Sequence, residues 1–361
     1  MESTSHKTKN QDLISEAYSM GHERVLICND KKSGLKAIIA IHSTICGPSL
    51  GGTRMWNYKN GEEALKDVLR LSRGMTYKNA ISGLALGGGK AVIIGNSRQD
   101  KSEALFRSFG KYVDSLNGAY ITAEDVGINP EDMLQVAMET KHVSGLPGKS
   151  GDPSPVTAYG VYMGMKAAAK FRYGNDSLEG KKIAIQGVGH VGEYLVEYLS
   201  KESAEIIITD IHQDMVKRVC NKYKCSHVAP DNIYDINMDI YAPCALGSTI
   251  NDETINKLRC QIIAGAANNQ LENENIHGLK LMQKDIIYAP DYLINAGGVM
   301  NCYKEVYNIP DEKVMKMAED IYNTTFDIIK FSADNNIPTY LAANRKAEEI
   351  LAEKSKSKNV K

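Results

Sequence analysis

Three consecutive glycines run into a lysine at Gly87-Gly88-Gly89-Lys90, ahead of the apolar stretch Ala91 to Gly95, and a second lysine closes the upstream run Gly74-Met75-Thr76-Tyr77-Lys78. Glycines lack Cβ atoms and let backbone and ligand approach closely, so the pattern sets an amine at the edge of a strand where it can enter a cleft. A Walker-type phosphate loop is excluded: Leu84 stands where its first glycine is required, and Ala91 where Ser or Thr would hold magnesium. Two ammonium groups sharing one cleft lower the pKa of one, while the other stays charged by pairing with a carboxylate. That division suits one lysine to binding and the other to chemistry. On the residues alone, two solvated surface lysines are an open alternative. Thr122-Ala123-Glu124-Asp125-Val126-Gly127, at the end of the predicted strand Ala119 to Ala123, offers a proton shuttle. Asp125 is the candidate and Glu124 its competitor; spacing does not separate them.

A second glycine cluster, Gly187-Val188-Gly189-His190-Val191-Gly192, directly follows the predicted strand Lys182 to Gln186 and opens a predicted helix, Val191 to Ser200. In that context the first glycine permits a tight turn and the second lets backbone approach a pyrophosphate. The third lets helix pack on strand, and the helix N-terminus supplies partial positive charge. The next strand ends in Asp210, roughly twenty residues on, where a carboxylate can bind both hydroxyls of an adenine ribose. Ile211-His212-Gln213 brings no arginine for a 2′-phosphate, so NAD is expected in preference to NADP. Ala242-Pro243-Cys244-Ala245 and Gly265-Ala266-Ala267-Asn268-Asn269 also follow strand ends, on the edge where ligands sit in such sheets. Either loop alone is equally compatible with plain turn chemistry.

Two patterns of elements hold these groups. The first part of the chain mixes strands, Leu35 to His42 and Lys90 to Gly95, with helices such as Glu62 to Arg73, where Ala64, Leu65, Val68, Leu69 and Leu71 fall mostly on one face. Gly, Pro and Ser crowd between Gly145 and Pro155, after the helical run Pro130 to Thr140, and mark a domain boundary. Beyond it strand and helix alternate. The strands, Lys182 to Gln186, Glu205 to Asp210, Asp239 to Pro243, Gln261 to Gly265 and Ile286 to Ala289, are short apolar runs, as in a parallel sheet covered on both faces; Gln213 to Tyr223 is a helix between them. The fold class expected is α/β with two domains separated by a catalytic cleft. Residues 1–150 form an N-terminal α/β substrate-binding and catalytic domain, and residues 151–335 a doubly wound Rossmann NAD-binding domain. Two amphipathic helices follow, Asp311 to Ser332 and Pro338 to Glu353, the second able to return to the first domain, and residues 354–361 are expected to form a disordered, solvated tail.

At 361 residues the chain exceeds what one core normally serves, and its 43% hydrophobic and 24% charged residues are those of a soluble globular protein. A net charge of −1 advertises no basic face, so no nucleic-acid partner is expected. Met1 to Asn10 is polar and lacks the apolar core of a signal peptide, and no stretch reaches the ~20 apolar residues of a membrane span. A cytoplasmic location without membrane contact is expected. Seven cysteines, Cys28, Cys46, Cys220, Cys225, Cys244, Cys260 and Cys302, are scattered and odd in number, which argues for reduced thiols. Cys220 and Cys225 lie near His227 without the spacing of a structural zinc site, and no metal is expected.

Read in chain order, Gly51-Gly52-Thr53-Arg54-Met55, Met75 to Lys78, Gly87 to Lys90, Ala123 to Gly127, Pro153-Ser154-Pro155-Val156-Thr157-Ala158-Tyr159-Gly160, Gly187 to Gly192, Ala242 to Gly247 and Tyr288 to Gly298 together resemble the leucine branch of the glutamate/leucine/phenylalanine/valine dehydrogenase superfamily. The likeness runs from His22 to Leu351. It implies NAD-dependent oxidative deamination of a branched aliphatic L-amino acid to a 2-oxo acid and ammonia, by a homo-oligomer, an octamer in the family. It also implies roles: Lys78 binds the substrate carboxylate, Lys90 is the catalytic lysine, and Asp125 exchanges a proton with the amino group. Thr157, Asn269 and Asn295 match positions that hold the nicotinamide or its ribose and the substrate. Further cofactor contacts are expected from Gly187, Val188, Gly189, His190, Val191, Gly192, Asp210, Ile211, Cys244, Ala245 and Ala266, and substrate contact from Gly51.

The resemblance places Leu50, Ala123, Val299 and Cys302 in the side-chain pocket. None is a lysine, arginine or serine able to meet a γ-carboxylate, so aliphatic substrates are favoured over glutamate. Cys302 departs from the valine expected there, and one methylene discriminates only modestly among leucine, valine and isoleucine. A phenylalanine or tryptophan dehydrogenase shares the scaffold. A non-catalytic NAD-binding sensor is the reading from another class, opposed by the presence of Lys78, Lys90 and Asp125 together. An oligomeric structural protein leaves the glycine-lysine run unexplained.

Overall fold

A computed structural model describes residues 13–149 and 151–359; Met1 to Asn10, read above as a polar start, and residues 360–361 lie outside the described residues. Two compact units are present, one built from the chain up to Thr76 together with Ala85–Pro147, the other from Tyr77–Leu84 and the chain from Gly148 onward.

The first unit carries five strands, β1 (Arg24–Asp30), β2 (Leu35–Ser43), β3 (Ser49–Trp56), β4 (Gly87–Ile94) and β5 (Tyr120–Glu124), in the order β1-β2-β4-β3-β5. β1, β2 and β4 pair antiparallel, whereas β3 runs parallel to both β4 and β5. Side chains alternate across the sheet. Ala37, Ile39, Ile41, Ala91 and Ile93 pack on one face with Leu105, Phe106, Phe109 and Val113 of the helix Glu103–Asp114 and Met133 and Val136 of the helix Pro130–Ala137. Ile38, Ala40 and Val92 pack on the other with Ala64, Val68 and Leu69 of the long helix Gly61–Ile81. Lys90 shares the parity of Val92, and Arg54 is the register partner of Val92 on β3, so both side chains emerge on the face under that helix.

Two expectations change here. The helix expected over Glu62 to Arg73 continues to Ile81, carrying Lys78, because Gly74 lies on its exposed side and costs propensity without breaking hydrogen bonds. The three glycines are strand residues, not a loop before one. A Cβ on Gly88 would lie 2.0 Å from the Thr76 amide nitrogen, and one on Gly89 2.7 Å from the Tyr120 ring. The glycine run lets helix and sheet close on each other, with Thr76 held in turn by His42 Nδ1 at 2.8 Å.

The second unit is built on six parallel strands, β6 (Lys182–Gln186), β7 (Glu205–Thr209), β8 (Ser226–His227), β9 (Ile240–Pro243), β10 (Ile262–Ile263) and β11 (Ile287–Tyr288), in the order β11-β10-β9-β6-β7-β8. This is the doubly wound order, and its switch point lies between β6 and β9, whose carboxyl ends open the ligand crevice of such sheets. The helix Ser154–Tyr173 packs against the turn before the helix Gly297–Tyr307: a Cβ on Gly164 would fall 2.4 Å from Ile294 Cγ2. The helix expected over Asp311 to Ser332 is two helices, Asp311–Glu319 and Ile321–Asp334, meeting at Asp320. The last helix, Thr339–Asn359, continues as far as Asn359 into the Lys/Ser segment expected as a tail, where the lysines keep helix propensity high.

The two glycines of helix and strand give opposite expectations. Gly88→Ala should destabilise by about 1–3 kcal/mol, the range for overpacking, whereas Gly74→Ala, with nothing within 4 Å of an added Cβ, should stabilise by up to about 1 kcal/mol. Urea unfolding of both variants checks this; equal effects would contradict the packing described.

Candidate active site

Lys90 sits within β4 with its side chain 8% exposed, and Nζ donates to Asp125 Oδ2 at 2.9 Å. Asp125 follows β5 in a loop stitched to the sheet: the Met55 amide donates to Val126 O at 2.9 Å and the Ile128 amide to Asp125 O at 3.0 Å. Gly127, at φ +80°, lets that loop close, since a Cβ there would meet Met55 O at 2.2 Å. Glu124, the competing carboxylate, is the exposed last residue of β5; Asp125 is the one that reaches Lys90.

A third group completes the cluster. Arg54 Nε donates to the same Asp125 Oδ2 at 3.1 Å, and its Nη1 donates to Asp67 Oδ2 at 3.0 Å on the helix Gly61–Ile81. Asp67 also accepts from Tyr58 Oη at 2.7 Å and from Arg70 at 3.1 Å. Burial pulls the Lys90 amine below the ordinary lysine range; Asp125 pulls the other way and the Arg54 charge adds to the lowering. Burial alone would raise the Asp125 carboxyl, but the Lys90 and Arg54 charges more than offset it and hold it below the usual carboxylate range. The arrangement is a low-pKa amine hydrogen-bonded to an ionised carboxylate, the combination general acid–base chemistry uses.

Arg54, Asp67 and Tyr58 were not singled out for a role in the sequence. Arg54 lies in the Gly51 to Met55 motif, but an arginine two residues past a glycine pair reads as surface charge until β3 is known to put it under a helix.

In the second unit Lys78 Nζ donates to Asn295 Oδ1 at 2.7 Å, and Asn295 Nδ2 donates to Ala266 O at 3.1 Å and Asn268 Oδ1 at 2.8 Å. Lys78, Asn295 and the loop after β10 thus form one hydrogen-bonded group. Buried Asp291 fixes the loop by accepting from the Gln270 amide at 3.0 Å, and Asn269 adopts φ +52° beside it. Thr157 lies against Gly297, where a Cβ would come within 2.4 Å of the Thr157 amide nitrogen, and the Ala266 amide donates to Cys244 Sγ at 3.5 Å. Leu50 and Ala123 are buried on β3 and β5 of the first unit; Val299 and Cys302 lie on the helix Gly297–Tyr307 of the second.

Comparison with known proteins matches residues 22–142 to the profile "Glu/Leu/Phe/Val dehydrogenase, dimerisation domain" and residues 148–212 and 207–358 to "Glutamate/Leucine/Phenylalanine/Valine dehydrogenase". A leucine dehydrogenase of Thermoactinomyces intermedius is 55% identical, covering 91% of each chain, and one of Bacillus subtilis 54% identical, covering 96% of each. The chain belongs to the glutamate/leucine/phenylalanine/valine dehydrogenase family. The crystal structure of L-tryptophan dehydrogenase from Nostoc punctiforme superposes with a TM-score of 0.87 at 44% identity, covering 95% of this chain and all of that one.

A member of this dehydrogenase family acts on an amino acid with a nicotinamide cofactor, and the turn after β6 fits such a dinucleotide. Gly187 adopts φ +100°, and a Cβ on Gly192 would strike Gly187 O at 2.1 Å, so turn and helix close tightly. A Cβ on Gly189 would meet nothing within 4 Å, which leaves open space over the N-terminus of the helix His190–Lys201 where a phosphate can sit. The Val188 amide donates to Asp210 Oδ2 at 2.9 Å, placing that carboxylate beside the turn; Ile211 next to it is 78% exposed, and Ala245 packs on Gly187. No helix among the described residues is long and apolar enough to cross a membrane.

Gly189→Ala should fold with wild-type stability yet bind NADH at least tenfold more weakly by fluorescence titration, because its methyl enters the open space alone. Gly192→Ala should lose stability as well. Unchanged NADH affinity in Gly189→Ala would remove the turn from the dinucleotide site.

Proposed function

We propose that this dehydrogenase catalyses the reversible, NAD-dependent oxidative deamination of L-leucine and related branched-chain L-amino acids to 2-oxo acids with release of ammonia. The observation that carries the reading is the buried Lys90–Asp125 pair at 2.9 Å, on a chain 55% identical to a leucine dehydrogenase. Lys78 binds the substrate carboxylate, and its bond to Asn295 ties that role to the loop expected to hold the nicotinamide ribose. When bound, the nicotinamide accepts the hydride from the substrate α-carbon. Asp125 exchanges a proton with the substrate amino group. Neutral Lys90 then deprotonates the water that attacks the resulting substrate imine, and as an ammonium ion it polarises the developing oxygen. Collapse of the carbinolamine releases ammonia and the 2-oxo acid.

Turnover in the deamination direction requires Lys90 without its proton, so its rate rises with pH through the lowered Lys90 pKa and falls below it. Thr157, Asn269 and Asn295 are assigned to nicotinamide and substrate, and Gly187 to Gly192, Asp210, Ile211, Cys244, Ala245 and Ala266 to the dinucleotide. The Asp210 carboxylate repels a 2′-phosphate, which supports NAD over NADP. None of the residues assigned to side-chain recognition, Leu50, Gly51, Ala123, Val299 and Cys302, brings a charge, which supports an aliphatic substrate. None of the seven cysteines, all of them described residues, is joined in a disulfide, in keeping with a reducing compartment such as the cytoplasm, and the dimerisation-domain profile supports a homo-oligomer.

The test is NADH formation at 340 nm with L-leucine, L-valine, L-isoleucine, L-phenylalanine, L-tryptophan and L-glutamate, with NADP in parallel. Activity on the branched set with NAD alone is expected. Lys90→Ala should lose about 10²–10⁴ in kcat, the usual worth of a general acid–base group, while keeping its affinity for NADH. Preference for an aromatic substrate would overturn the pocket assignment, and full activity in Lys90→Ala would overturn the mechanism.

A further inference from the structure

Asp125 is acted on by two cations of different kind. Lys90 changes its own charge in the reaction proposed above, on which this inference rests. Arg54 does not, because a guanidinium keeps its proton at any working pH. Both converge on one atom, Asp125 Oδ2, at 2.9 and 3.1 Å. The Val126 backbone adds a further hydrogen bond to the same carboxyl, which is thereby held from several sides. Arg54 is itself clamped: its far nitrogen meets Asp67, and Asp67 is anchored by Tyr58 and Arg70. The clamp spans three elements, β3, the loop after β5 and the helix Gly61–Ile81, with Arg54 and Asp67 side chains only 21% and 17% exposed. So buried a chain of charges is costly unless each member is paired, and the pairing fixes the geometry of each.

We propose that Arg54 is the positioning residue of this site: held by Asp67 and Tyr58, its permanent charge keeps Asp125 ionised and aimed while Lys90 gains and loses a proton. Without it, Asp125 would depend on Lys90 alone, and the carboxyl, desolvated by its burial, would take up a proton whenever Lys90 became neutral. Asp125 would then be neutral at the moment Lys90 must accept the proton of the attacking water, and would no longer be the ionised partner of the resulting ammonium. The other charged and titratable groups around Asp125 are Glu124 and Tyr120 on β5, Asp67 and Arg70 on the helix Gly61–Ile81, Tyr58 beyond β3, and Glu131 on the helix Pro130–Ala137, which acts on Glu124. Arg54 is the permanent cation among them that touches Asp125 directly.

The sign of the effect follows. Arg54 lowers the Lys90 pKa and stabilises the Asp125 carboxylate, so its removal moves both groups upward. In Arg54→Gln the acidic limb of the kcat/KM profile for deamination should move up by about one pH unit, the lower end for loss of an adjacent opposite charge. kcat should fall at least tenfold at neutral pH, with circular dichroism and NADH affinity unchanged. Arg54→Lys restores charge without the two-sided clamp, and should return the limb to its wild-type position while kcat stays low. Asp67→Asn removes the anchor but not the charge; it should lower kcat with no upward movement of the limb, and it carries the test where Arg54→Gln does not fold. A folded Arg54→Gln whose profile superimposes on the wild type, or an Asp67→Asn with wild-type kcat, overturns the proposal. Lys90→Ala in the same experiment separates this failure from that of the underlying mechanism: if it too is fully active, the catalytic assignment has failed and not the clamp alone.

Discussion

One ammonium group buried in a β-sheet constrains much of the first unit. Removing a lysine amine from water is costly unless a carboxylate meets it, and Asp125 does so at 2.9 Å. That requirement explains local features that otherwise look unrelated. β4 must lie close under a helix for Lys90 to be buried, which makes Gly88 a glycine; the loop after β5 must turn back onto β3, which makes Gly127 a glycine. The helix Gly61–Ile81 must carry an acid facing the sheet, and Asp67 is there to receive Arg54. The same burial that makes the amine costly to charge pulls its pKa below the ordinary lysine range, so the structural difficulty and the proposed catalytic usefulness have one origin.

The second unit solves a different problem with backbone groups. Its six parallel strands bring the turn after β6 and the loops after β9 and β10 to one edge, at the switch point of the strand order. Few charged side chains are needed there, because amides and a helix N-terminus supply the positive potential that phosphates seek. Asn295 is the exception in its density of contacts: one amide side chain accepts from Lys78 and donates to Ala266 and Asn268. A displacement of any of these partners therefore shifts the others.

Much of this was legible in the residues. The doubly wound half could be read because its strands are continuous apolar runs and its phosphate turn has a fixed glycine pattern, both local signals. Lys90 stood out through the glycines before it, though for a reason only partly right: the glycines serve the helix–sheet contact as well as any ligand. Spacing left Asp125 and Glu124 equal, since nothing local marks where β5 ends; Glu124 is its exposed last residue, and the loop that folds back onto β3 turns Asp125 toward Lys90. Arg54 and Asp67 were invisible as a pair because they are brought together by a helix crossing a sheet, which no local periodicity encodes. The long final helix was cut short in the reading because a Lys/Ser-rich end resembles a solvated tail in composition while retaining the propensity to continue as helix.

The central claim is that Lys90 titrates below an ordinary lysine because it is buried in the folded enzyme. The most direct measurement is an NMR titration of enzyme carrying ¹³C at lysine Cε, with the Lys90 signal assigned by its loss in Lys90→Ala. A midpoint clearly below the ordinary value of about 10.4 is the result expected. A midpoint at or above that value would show the amine to be held as a permanent ammonium ion, and would contradict the account of the site as a buried base.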